Sequence, residues 1–223
     1  MSHINILELD LSKLKLAKSG RTLKIIYEGN PLQLVTTKMY APFGVKIFNN
    51  DYSHFTNCHI DCSVSETNMK IKEAYQKLDD KIRELVVDSS EKAFAEVNFE
   101  DPTFYSSMFK GNSNYPKLMK VSLPRDKNGN FDFVIFDDNK EKVKVTDTTI
   151  ETVLAKRVMF KSIIECNKIW VYKGKIGATW NLVQMRLVPK SEQMSEDTEG
   201  TETAGPQSIN EKNIYTQNLM IDD

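Results

Sequence analysis

Alternation of apolar and polar side chains is clearest from Lys168 to Pro189, K-I-W-V-Y-K-G-K-I-G-A-T-W-N-L-V-Q-M-R-L-V-P, where two such runs flank a Lys-Gly-Lys-Ile-Gly stretch. Runs of this kind around a glycine-bearing turn predict a β-hairpin. In the first run Ile169 and Val171 share one face, with Lys168, Trp170 and Tyr172 opposite. In the second, Val183, Met185 and Leu187 share a face, with Trp180, Gln184 and Arg186 opposite. Each run thus sets its rings beside charged or amide side chains. That combination suits unpaired nucleic acid, because rings stack on bases while Lys and Arg follow the phosphates. The two aromatic faces coincide only if the loop has an odd number of residues, such as Lys175-Ile176-Gly177 with Gly177 left-handed. A two- or four-residue loop puts Trp180 on the other face. The same spacing also fits a hairpin whose tryptophans cap the edge of the core.

Elsewhere the pattern predicts many short strands and one clear helix. Residues 4–16 alternate weakly and read as a first strand or a peripheral arm. Leu23, Ile25 and Tyr27 share a face, Gly29-Asn30-Pro31 turns the chain and residues 32–37 return it, a second hairpin. Residues 45–48 read as strand after the turn-rich stretch 38–44. Cys58, Ile60, Cys62 and Val64 alternate with outward His59, Asp61 and Ser63. Ile71, Tyr75, Leu78, Ile82, Leu85 and Val86 form one helical stripe, with Ser65 to Thr67 as N-cap and Asp88-Ser89-Ser90 as its end. A short helical piece over 91–97 and an aromatic-rich irregular connection over 98–116 follow. Strands resume at 117–123, at 131–136 beyond the turn Asp126 to Gly129, and at 157–166, with a helical turn over 148–156. In that last strand Arg157, Lys161 and Glu165 face outward. Short strands, frequent turns and one good helix predict a mainly β protein, an OB-fold-like β-barrel with an inserted helix.

The formal net charge of −1 hides a division. Residues 191–223 hold eight acidic side chains against Lys212 alone, a net of −7. Residues 1–190 keep 29 basic and 23 acidic side chains, a net of +6. The expected organisation is a nucleic-acid-binding domain over 1–190 and a disordered acidic C-terminal tail over 191–223. Ile214, Tyr215, Leu219, Met220 and Ile221 give the tail's end an apolar cluster that reads as a docking segment. Its acidic stretch reads as an intramolecular competitor for the cationic groove. Three cysteines without framework spacing, an N-terminus broken by Glu8 and Asp10, and no apolar run near the ~20 residues of a membrane span predict a soluble protein of a reducing, intracellular compartment.

Catalytic and metal chemistry find weak footing. His54, Cys58, His59 and Cys62 resemble a metal cluster, but residues four apart on a strand lie ~13 Å apart, so buried structural thiols are expected. Asp126 with Asp138 and Lys140 echoes a metal-dependent nuclease arrangement, and both fragments equally fit solvated turns. No cofactor, metal site or catalytic residue is expected. The basic residues Arg157, Lys161, Lys168, Lys173, Lys175 and Arg186, with Trp170, Tyr172 and Trp180 among them, are the nucleic-acid-binding candidates. Tyr40, Phe43 and Lys46 are secondary ones. A virion or scaffold protein using the same aromatic face for protein contacts is the rival reading.

The run K-I-W-V-Y-K-G-K-I-G-A-T-W-N-L-V-Q-M-R-L-V, with the strand around Lys161 before it, resembles the C-terminal barrel segment of the single-stranded DNA-binding proteins of large nucleocytoplasmic DNA viruses. That group is similar to the replication single-stranded DNA-binding proteins of short-tailed bacteriophages. The resemblance covers about Tyr115 to Pro189 and the acidic tail. It implies an OB-fold barrel with a helix between strands, and sequence-tolerant binding of single-stranded DNA in viral DNA replication, recombination or repair. It also implies a tail that recruits replication proteins (polymerase, helicase-primase) and supports a homodimer, in the host cytoplasm (the virus factory) or nucleus. The phage-type tail ends in an aromatic residue, whereas here Asp223 is last and Tyr215 is the nearest ring.

Overall fold

The structure is a computed structural model that describes residues 3–19, 22–48, 56–64, 69–89, 94, 97–111 and 116–189. Its elements begin with β1 (Ile4–Asn5), a 3-10 turn (Leu11–Lys13), β2 (Leu14–Ser19), β3 (Thr22–Tyr27), β4 (Asn30–Pro31) and β5 (Gln33–Val35). Then come β6 (Met39–Ala41), β7 (Val45–Phe48), β8 (Asn57–Val64) and the helix α1 (Met69–Asp88). The second half holds β9 (Tyr105–Ser106), β10 (Phe109–Lys110), β11 (Leu118–Leu123), β12 (Val134–Phe136), β13 (Lys142–Val143) and α2 (Ile150–Val153). Two long strands, β14 (Val158–Tyr172) and β15 (Lys175–Leu187), finish the described chain.

Five of these strands close a ring. β14 pairs β6, β6 pairs β8, β8 pairs β11, β11 pairs β15, and β15 returns to β14. In chain order the walls run first, second, third, fifth, fourth, and the third and fifth are parallel. This is the Greek-key closure of an OB-fold barrel. Closure removes sheet edges and leaves one interior to fill. Cys58, Ile60, Cys62 and Val64 of β8 are buried as their alternation predicts, Cys58, Ile60 and Cys62 opposite Leu123, Val121 and Met119 of β11, but Ser63, expected outward, is buried as well where it pairs with Tyr40. All three cysteines are free and buried. Burial raises each thiol's pKa, that of Cys166 to about 12, which fits inert structural thiols.

The α1 stripe also holds: Ile71, Tyr75, Leu78, Ile82 and Val86 are buried, with Leu85 packed against the core. The helix carries a charge the stripe did not include. Asp79 is 6% exposed and accepts bonds from the Tyr105 hydroxyl at 2.8 Å and the Met108 amide at 3.1 Å. Through it α1 holds the segment expected to be irregular, which packs inward by edge-to-face contacts from Phe94 through Phe99 and Phe104 to Tyr105.

Several expectations are corrected. The 22–37 hairpin is reduced to Ile26↔Pro31 and Tyr27↔Asn30; β3 pairs mainly with β2, and β5 joins β14. Of the strand over 131–136 only β12 remains, preceded by a single bridge, Arg125↔Phe131. The strands expected at 157–166 and from Lys168 are one, β14, whose ~50 Å length serves β6, β5 and β3 in turn. The proposed caps Ser65 to Thr67, His54, most of 91–97, Tyr115 and the tail 190–223 lie outside the described residues. No described helix is long and apolar enough to cross a membrane.

Candidate nucleic-acid interface

The hairpin turns through two residues, Lys173 and Gly174, at φ 49° and 72°, between paired Tyr172 and Lys175. Positive φ at both positions is what a type I′ turn needs. Gly177 is therefore a strand residue, not a left-handed turn residue, and it lies opposite Trp170. An added Cβ would come within 2.4 Å of the Trp170 ring, so glycine here makes room for that indole on the strand surface. Three residues on, Trp180 points the other way. It pairs with Cys166, is 2% exposed and belongs to the core.

Trp180 is thus a correction to the expected aromatic platform. The register shift between Ile163 and Ile164 leaves Val183 as an extra residue on β15. That bulge reverses the alternation between Arg186 and Trp180, and the even-numbered turn keeps it reversed relative to Trp170. Trp170, Tyr172 and Lys168 do share the outer side, as expected. Lys168 is on it because a second shift between Cys166 and Lys168 restores the phase on β14.

The outer surface of β7, β8, β11 and β15 forms a broad shallow groove. Register carries one row across it: Lys46 opposite His59, His59 opposite Ser122, and Ser122 beside Asn181. The next pair along is Asp61 opposite Lys120. Two adjoining depressions share Lys120 and Ser122. The first contains Phe48, His59, Arg125 and Asn181. The second, of about 560 Å³, contains Trp170, Lys110 and Thr179. Each has an aromatic ring with an ammonium over it: Lys120 Nζ lies 5.4 Å from the Phe48 centroid, and Lys110 Nζ 5.9 Å from that of Trp170. Lys173 stands similarly over Tyr172, which is 64% exposed.

The expected residues divide between two places. Lys168, Trp170, Tyr172, Lys173 and Lys175 gather at the turn end of the hairpin, with Lys168, Lys173 and Lys175 exposed. Lys46 lies on β7 and Phe43 in the turn before it; Lys46 already bonds Asp61 at 2.6 Å and lies 5.1 Å from the Phe43 ring. Tyr40 is half-buried between Ser63 and Met159. Arg157, Lys161 and Arg186 lie at the hairpin's root, Lys161 directly opposite Arg186 and nine residues, ~30 Å of strand, from Trp170. Sequence reasoning missed Phe48, Lys110 and Lys120. Their trace in the sequence was slight: Phe48 shares a strand face with Lys46, and Lys120 holds the outward position between Met119 and Val121.

Electrostatics keep the groove cationic without a proton from histidine. Partial burial lowers the His59 pKa, and nearby Lys120 and Lys46 lower it further against the opposing pull of Asp61. His59 is therefore neutral at neutral pH and presents a ring edge-on to Phe48 at 5.4 Å. At the groove's end Arg125 bonds Asp147, the Thr56 carbonyl and the Gly129 carbonyl, and lies 4.0 Å from the Phe131 centroid. It braces the groove wall. The carboxylates considered for a nuclease are turn residues: Asp126 accepts from the Asn128 and Asn130 amides, bonds that lower its pKa, and Asp138 and Lys140 sit in the turn closed by Asp137. Among the described residues no three His, Cys, Asp or Glu side chains group to hold a metal ion.

No protein-family profile matches the chain. A curated protein of Acanthamoeba polyphaga mimivirus, described as uncharacterized protein L291, is 26% identical over 168 residues, covering 68% of this chain and 25% of that protein. The chain thus spans about a quarter of the length of the curated relative it matches. Among solved structures, the single-stranded DNA-binding protein of bacteriophage Enc34 in complex with single-stranded DNA is similar at a TM-score of 0.48 and 12% identity, over 79% of this chain and 95% of that one. Without DNA the same phage protein gives a TM-score of 0.47 at 12% identity, over 78% and 89%. At such identity no residue can be carried across.

Proposed function

We propose that this protein binds single-stranded DNA with little regard for sequence and serves viral DNA replication, recombination or repair. The observation that carries this reading is the outer barrel face, where Phe48 lies beneath the Lys120 ammonium, Trp170 beneath that of Lys110, and Lys120 lines both depressions. A base entering either site stacks on the ring, and the displaced ammonium moves to the adjoining phosphate. Every base has a π-face, so such a site tolerates any sequence, at ~1–3 kcal/mol per engaged stack. Lys168, Lys173 and Lys175 extend the cationic track along the hairpin. The acidic tail competes for the same groove and recruits replication proteins.

Titrating the full chain with oligothymidine tests this by tryptophan fluorescence. Trp170 is quenched on binding more strongly than Trp180, which is 2% exposed in the floor of the same depression. The Trp170→Phe variant therefore loses most of the quenching. With about four phosphates contacted, log K falls against log salt with a slope near −3. Absence of quenching at low salt favours the virion or scaffold reading, and an affinity insensitive to salt removes the nucleic-acid reading.

A further inference from the structure

A seam in the barrel wall runs beneath the Trp170 depression. β11 and β15 pair at Val121↔Trp180 and Ser122↔Asn181, and toward the hairpin's turn each takes a different neighbour on the same side. Ile176 and Gly177 of β15 pair with Tyr105 and Ser106 of β9, while Leu118 and Met119 of β11 pair with Lys110 and Phe109 of β10. Residues 105–110 thus fill the seam as a wedge, with a short strand on each side and Ser107 and Met108 at its bend. The wedge also builds the depression above it. Ser106 bounds the space over Gly177 where the indole lies, and Lys110 Nζ stands 5.9 Å from the Trp170 centroid.

Helix α1 holds this wedge at two points on one face. Tyr75 meets Phe109 edge-on at 5.3 Å, and one turn later Asp79 takes the bend. Both carboxylate oxygens accept from the Met108 amide at 3.1 Å, the Tyr105 hydroxyl donates at 2.8 Å, and the Ser107 side chain adds a further bond. Position 79 belongs to the buried side of α1, where an apolar residue would pack without the penalty of taking a carboxylate out of water. A carboxylate there fixes a backbone amide and two side chains at one bend, which an apolar side chain cannot do. We infer that Asp79 is a positioning residue of the nucleic-acid site, setting through the wedge where Ser106 and Lys110 stand against Trp170. The inference rests on the outer face binding single-stranded DNA.

The affinity of the full chain for a labelled oligothymidine, read by fluorescence anisotropy, tests this. Asp79→Asn leaves one acceptor oxygen and turns an N–H₂ toward groups that donate, so the wedge shifts and affinity falls about fivefold, part of one stack. With Trp170→Ala already present, Asp79→Asn weakens binding no further. With Phe48→Ala, in the other depression, the fivefold loss remains. Tyr105→Phe keeps the ring beside Phe104 and removes only the hydroxyl that bonds Asp79. It repeats the pattern at smaller amplitude and decides the matter if Asp79→Asn does not fold. Wild-type affinity in the folded variants overturns the inference. So does an equal loss in the Trp170→Ala and Phe48→Ala backgrounds, the mark of a general loosening of the barrel. Both results leave the DNA reading standing. A wild-type chain that does not bind oligothymidine removes that reading, and this inference with it.

Discussion

The indole of Trp170 lies on the backbone of Gly177, its cross-strand partner, so closely that a Cβ there would fall 2.4 Å from ring carbon Cζ2. The Ser106 side chain bounds the same space at 3.2 Å. Gly177→Ala therefore pushes the indole out of the groove while leaving the ladder intact. The expected cost is about 1 kcal/mol of stability from overpacking. The larger loss is in DNA affinity, about tenfold, as for losing most of one stack. Thermal denaturation and oligothymidine titration of the same variant separate the two effects. Unchanged affinity removes Trp170 from the binding surface.

The two groups of cations give different salt dependences. Lys120→Ala weakens binding and reduces the magnitude of the log K against log salt slope by about 0.7, the share of one phosphate on a single strand. Lys161→Ala and Arg186→Ala, at the hairpin's root, reduce it less, and Lys72→Ala on the exposed side of α1 does not change it. A slope lowered most by the root variants would move the DNA track to the other side of the barrel.

Asp79 makes stability depend on pH. Burial raises its pKa above 3.8 in spite of the bonds from Tyr105 and Met108 that favour the anion. An acid whose pKa rises on folding binds its proton more tightly in the native state, so stability is greatest in acid and falls as pH climbs from 3.8 through the raised native value. Asp79→Asn removes this contribution and flattens the profile. Asp79→Ala leaves the Tyr105 hydroxyl and Met108 amide without their acceptor and costs about 2 kcal/mol. Urea midpoints between pH 4 and pH 7 read both effects. A wild-type profile with the same slope as Asp79→Asn would mean that Asp79 does not set it.

Truncation after Pro189 removes eight carboxylates with Lys190 and Lys212, a net charge of −6, and tightens DNA binding, most strongly at low salt where the tail's competition is strongest. Neutralising Glu192, Glu196, Asp197 and Glu199 together has the same effect in part. Weaker or equal binding by the truncated chain excludes the tail as a competitor.

Local pattern was enough where one element faces one core. The alternation from Cys58 to Cys62, the stripe from Ile71 to Val86 and the strand at 117–123 appear in the structure, because period and burial are properties of the element itself; Ser63, expected outward, is buried where β8 meets β6. The outward position of Lys168, Trp170 and Tyr172 was legible for the same reason. Trp180 was not. A period-2 pattern carries no mark of where a bulge falls, and the extra residue at Val183 changes the face of everything before it on the strand. Closing β15 against both β14 and β11 decides where that residue goes.

The candidate site shows the same division. By itself the sequence determined a mainly β barrel with one amphipathic helix, a basic body before an acidic tail, and rings placed beside cations on the last hairpin. Only the tertiary structure decided which rings meet which cations. Lys110 reaches Trp170 across 60 positions and Lys120 reaches Phe48 across 72, contacts set by strand order and register around the ring. Strand order is fixed by which hydrophobic faces can close on one another, a global condition that no local run of residues contains.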